Sequence, residues 1–93
     1  MADSDIGPSE VALVNDVLRS RALSFGPMIE RFEAEWARRL DVAHAVAVSS
    51  GTAGLHLSAI AAGVTDGDFV ITTPYSFVAS ANAILYQRAV PIF

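Results

Sequence analysis

The chain contains no lysine: all six of its basic residues are arginine, at positions 19, 21, 31, 38, 39 and 88. It also contains no cysteine, which excludes a disulfide frame and a thiolate metal site. No apolar run approaches the roughly 20 residues of a membrane span. The first residues, Met1-Ala2-Asp3-Ser4-Asp5, lack the basic and then apolar order of a signal peptide. Ten acids against six arginines leave a net charge of −4. That balance argues against nucleic acid, whose phosphates require a basic stripe. It argues equally against an anionic membrane surface. A cytoplasmic protein is the resulting expectation.

What is abundant is apolar: 53% of the 93 residues are hydrophobic. A chain of this length buries only about 60–65% of the surface its unfolded form exposes. So much apolar surface on so small a body reads as part of something larger.

The N-terminal half is expected to be helical. Residues 1–8 read as a flexible arm, with Ser9 as an N-cap. Val11, Val14, Val17 and Leu18 then recur at helical spacing up to Arg19-Ser20. After a connector, Pro27 suits the first turn of a second helix. Ile29, Phe32, Trp36 and Leu40 form its apolar stripe, and Phe32 and Trp36 are expected in the core. Acids early in this helix and arginines late complement its dipole.

From residue 44 the texture changes, which divides the chain into 1–43 and 44–93. His44-Ala45-Val46-Ala47-Val48 reads as a buried strand. Ala53–Ala62 reads as a helix closed by Gly63, and Phe69–Thr72 as a second strand. Phe77–Tyr86 reads as another helix, and Ala89–Phe93 as the opening of a third strand. Such βαβαβ alternation implies parallel strands joined by helical crossovers, an α/β class.

Two segments carry candidate chemistry. Ser49-Ser50-Gly51-Thr52-Ala53 lies where a strand meets a helix. The first turn of a helix leaves N–H groups unpaired and adds partial positive charge, a combination suited to phosphate. Gly51 permits close approach, and Ser50 and Thr52 can add hydroxyls. The same residues equally suit a plain N-cap. The second segment, Thr73-Pro74-Tyr75-Ser76-Phe77, follows the next strand, and ligands bind at the carboxyl ends of such strands. A flat ring could stack on Phe77 or Tyr75, or Phe77 could belong to the core. His44 and His56 lack partners at metal-ligand spacing, and Asp66 and Asp68 are turn residues.

In order and spacing, these blocks resemble the DegT/DnrJ/StrS family of sugar aminotransferases. The resemblance rests on Leu23–Pro27 with Arg31-Phe32-Glu33, on His44–Leu57, on Gly67–Pro74 and on Ser76–Asn82. It implies two N-terminal helices followed by the start of the large domain of the aspartate-aminotransferase-like fold (PLP fold type I). It implies pyridoxal 5′-phosphate (PLP) as cofactor. Ser50, Gly51, Thr52 and Ala53 would hold its phosphate, Phe77 would lie on its ring, and Tyr75 would face substrate. It further implies a homodimer acting on a nucleotide-linked keto-sugar and an amino acid such as glutamate.

The family's Schiff-base lysine has no counterpart here, since the segment resembled precedes it. No catalytic residue is therefore assigned within the chain. A dehydratase of the same family using pyridoxamine phosphate (PMP) is the close alternative. A phosphate-binding α/β module without catalysis is another, and a truncated product without function a third. Incubated with PLP, glutamate and a nucleotide-linked keto-sugar, the 93-residue chain alone is expected to give no aminated sugar by chromatography. Turnover would show that the lysine is dispensable.

Overall fold

The structure, a computed structural model, describes residues 4–93. The first three residues of the expected arm lie outside the described range. The chain divides into two compact units, one ending at Ala47 and one spanning Val48–Phe93.

The first unit carries α1 (Pro8–Ser20) and α2 (Pro27–Leu40). The N-cap of α1 is Gly7, not Ser9. Pro8 already has the φ of a first helical residue, so the boundary falls two positions earlier. Glu10 then reaches back to accept the Gly7 N–H at 2.7 Å. Neither helix ends on glycine: Arg21 and Asp41 take the left-handed conformation at φ 60° and 52°. On α2, Glu35 binds Arg38 at 2.6 Å and Arg39 at 3.2 Å. These hydrogen bonds, first from Arg38 and then from Arg39, pull the Glu35 carboxyl down to about 2.

Phe32 and Trp36 meet edge to face at 6.1 Å, as their i, i+4 spacing allows. They are not core residues, however, being 52% and 46% exposed. The helical period was read correctly, but α1, which shares a hollow with Phe32, leaves both rings substantially open.

The second unit holds α3 (Gly51–Ala61), β1 (Phe69–Ile71), α4 (Ala79–Leu85) and β2 (Val90–Ile92). The two strands pair in parallel, with Phe69 opposite Val90 and Ile71 opposite Ile92. Two further bonds bracket the ladder, Val90 N–H to the Asp68 carbonyl at 2.7 Å and Thr72 N–H to the Ile92 carbonyl at 2.8 Å. Residues 90 and 92 therefore turn their polar groups toward β1. Pro91 between them directs its missing N–H away, where it interrupts no bond of this ladder.

The expected strand over 44–48 is not formed. A strand exists only through its neighbours, and the described residues supply a two-stranded sheet without it. The Ala47 N–H instead donates to Glu33 Oε1 on α2 at 2.7 Å. The observed order from residue 51 is thus helix, strand, helix, strand.

The helices of this unit also shift from expectation. α3 begins at Gly51 rather than Ala53, and Gly63 follows its end at φ 81°. α4 is shorter than the expected 77–86 span, because Phe77 lies in the entry turn. The Phe77 carbonyl accepts both the N–H of Ser80 at 3.1 Å and its hydroxyl at 2.9 Å.

The buried core consists of Ala79, Ala83 and Ile84 on α4 with Ala89 before β2. Small residues let α4 lie close to β2 and to α3. At the far end of the crossover, Arg88 pairs with Asp66 at 2.8 Å. Its carbonyl accepts the N–H of Gly67, which sits at φ 83°. Both turns that launch the strands are tied together there. Gly67→Ala would place a Cβ on left-handed backbone, costing roughly 1–2 kcal/mol. A lowered midpoint of thermal unfolding checks this, and an unchanged midpoint contradicts it.

Candidate functional site

The N-terminus of α3 is built by Ser50. Its Oγ accepts the Ala53 N–H at 3.1 Å, and its carbonyl accepts the Gly54 N–H at 3.0 Å. Two of the helix's first four donors are thereby satisfied. The N–H groups of Gly51 and Thr52 have no partner among the described residues. They lie where the partial positive charge of the helix is concentrated. A Cβ built on Gly51 would meet nothing within 4 Å, so there is open space on that side of the first turn. Free donors, positive potential and open space are what a phosphate requires. The Ser50 hydroxyl is spent on the cap, which is the plain N-cap reading of this turn, and the N–H groups of Gly51 and Thr52 remain as donors.

Phe77 lies beyond the carboxyl end of β1 and is 76% exposed. It is therefore not a core residue, and its ring is free to meet a ligand. It borders a hollow of about 220 Å³ lined by residues 73, 74, 76–78, 80 and 81 together with Phe93. Tyr75 does not line this hollow and is 97% exposed. Its N–H donates to Thr73 Oγ1 at 3.1 Å, a tight turn that throws the side chain outward. Ser50, Gly51, Thr52 and Ala53 are likewise absent from the lining, so the structure does not gather all the sequence-derived candidates into one cavity. The expected pair of adjacent strand ends is realised only at β1, because 44–48 is unpaired.

A hollow of about 470 Å³ lies in the first unit between α1 and α2. Six apolar residues line it with Arg31 and Glu35, and Glu35 is already held by Arg38 and Arg39. Such a lining offers packing surface rather than converging polar groups.

Two features escaped the sequence. Glu33 on α2 accepts the Ala47 N–H within the first unit. His56 on α3 meets the end of α4, its ring 5.1 Å from that of Tyr86 and its Nε2 2.7 Å from Gln87 Nε2. Both contacts join residues far apart in the chain, where neither periodicity nor motif spacing gives a signal.

The chain is of the α/β class, with a small parallel sheet, and the comparisons specify its family. Residues 4–93 match the DegT/DnrJ/EryC1/StrS aminotransferase family, and the chain belongs to that family. GDP-perosamine synthase of Vibrio cholerae is 44% identical over 86 residues, which are 91% of this chain and 23% of that protein. The aminotransferase of Psychrobacter cryohalolentis superposes with a TM-score of 0.89 at 30% identity, covering 100% of this chain and 24% of that one. NtdA of Bacillus subtilis, solved with bound PMP, superposes at 0.83 with 34% identity over 95% of this chain and 21% of its own. The chain thus spans about a quarter of the length of the relatives it matches.

Ser50→Ala removes the cap of α3 and leaves the Ala53 N–H unpaired. The expected cost is about 1 kcal/mol of unfolding free energy, read by denaturant titration. Ser50→Asp, which can accept the same bond, should restore most of it.

Proposed function

We propose that this chain is the cofactor-holding N-terminal part of a PLP-dependent aminotransferase acting on a nucleotide-linked keto-sugar. The amino group would come from an amino acid, with glutamate the expected donor. Bound PLP supplies an electron sink for amino transfer. The residues present fit the phosphate of that group through the free donors and open space at the start of α3.

In this reading the N–H groups of Gly51 and Thr52 bind the phosphate, with Ala53 and Ser50 fixing the backbone that presents them. The Thr52 hydroxyl adds a donor. Phe77 lies over the ring and holds it flat, and Tyr75 faces the substrate side. No residue of this chain moves the proton during catalysis, since that role belongs to a lysine. A homodimer in the cytoplasm is part of the proposal, as is a nucleotide sugar of the kind that the name of GDP-perosamine synthase implies.

The observation that carries the reading is the open Gly51. Its backbone is not left-handed and its Cβ direction is empty, so alanine fits the fold. The same methyl group would occupy the space assigned to phosphate. In the full-length gene product, Gly51→Ala is expected to leave the unfolding midpoint within about 1 °C and to weaken PLP binding roughly tenfold, equivalent to 1.4 kcal/mol. Titration calorimetry measures the binding. Unchanged PLP affinity in a folded Gly51→Ala protein would remove the phosphate from this site.

A further inference from the structure

His56 stands on the second turn of α3 and reaches the opposite end of α4. With Gln87 Nε2 as donor at 2.7 Å, His56 Nε2 accepts and the ring carries its proton on Nδ1. The edge-to-face contact with Tyr86 at 5.1 Å holds the same ring from a second direction. Tyr86 caps the C-terminus of α4, and Gln87 follows it. This is the one side-chain hydrogen bond among the described residues that joins α3 to the α4 end. It is half-buried, whereas the side-chain bonds along α2 are exposed.

α3 and α4 pack against each other. The buried residues of α4 include Ala79 and Ala83, whose short side chains interlock little with a neighbour and leave freedom to slide. A polar bond of fixed geometry removes that freedom, because it is made at one register only. The two ends of the proposed cofactor site hang on these helices. The Gly51-Thr52 donors open α3, and Phe77 stands two residues before α4.

We propose that His56 is a positioning residue, locked by Tyr86 and Gln87, that fixes the spacing between the phosphate-binding turn and Phe77. The proposal rests on the cofactor reading above and adds to it the element that sets its geometry. A ligand touching both ends gains from a preset spacing, because neither end need be ordered on binding. A ligand touching only the Phe77 end gains nothing from it. PLP is the first kind of ligand, and pyridoxal, which lacks the phosphate, is the second.

The test compares PLP and pyridoxal affinities by titration calorimetry in the full-length gene product, for the unmodified protein, His56→Leu, His56→Gln and Gln87→Leu. Unfolding midpoints are recorded for each. The unmodified protein should prefer PLP by at least tenfold. His56→Leu and Gln87→Leu should cut that preference about fivefold or more, chiefly by weakening PLP. His56→Gln keeps a polar atom close to the Nε2 position and should regain most of the preference. If the leucine variants lower both affinities equally, or lower only the midpoint, His56 is a packing residue and the proposal is overturned. If His56→Leu does not fold, Gln87→Leu decides on the same ratio. An unmodified protein with no preference for PLP overturns the cofactor reading itself, an outcome distinct from a preference that survives the loss of His56.

Discussion

The second unit depends on the close approach of α4 to its neighbours, which Ala79, Ala83, Ile84 and Ala89 make possible. Larger side chains there would push the helix off β2 and open the parallel pair that the crossover joins. The register of that pair is then fixed outside the core. Asp66, Gly67 and Asp68 on one side meet Arg88 and Val90 on the other. A short core of small residues gives little hydrophobic free energy, so directional contacts at its edge carry specificity that a larger core would supply by shape.

The same economy governs the candidate site. Ser50 spends its hydroxyl on the helix it begins, and in doing so leaves the donors of Gly51 and Thr52 pointing outward. Phe77 spends its carbonyl on the entry of α4 and leaves its ring outside. In both places the backbone is stabilised by the residue's polar atom while the outward surface remains open. Local fold and prospective chemistry are thus served by different atoms of the same residues, and that separation allows Gly51→Ala to probe one without the other.

The apolar surface left exposed is large for so short a chain. Phe32, Trp36, Phe69, Ile71 and Phe93 all stand substantially open. A membership shared with relatives about four times as long is consistent with that surface. The unpaired segment 44–48 belongs to the same account: it is apolar and β-branched in texture, and among the described residues Glu33 accepts its Ala47 N–H.

Much was legible in the sequence. Helical periodicity located α1 and α2, Pro27 set a helix start, and Gly63 and Gly67 marked turns that the coordinates place at positive φ. The Ser-Gly-Thr block located the start of α3 to within two residues, and the order of four blocks identified the family. These are local properties, encoded by residues within a few positions of one another. Tertiary structure alone decided the rest. Burial of Phe32, Trp36 and Phe77 depends on what lies opposite them, and pairing of 44–48 depends on a neighbour. The meeting of His56 with Gln87 spans 31 positions. Contacts at such separation leave no period in the chain, because they are created by the packing of helices rather than by the sequence that forms each one.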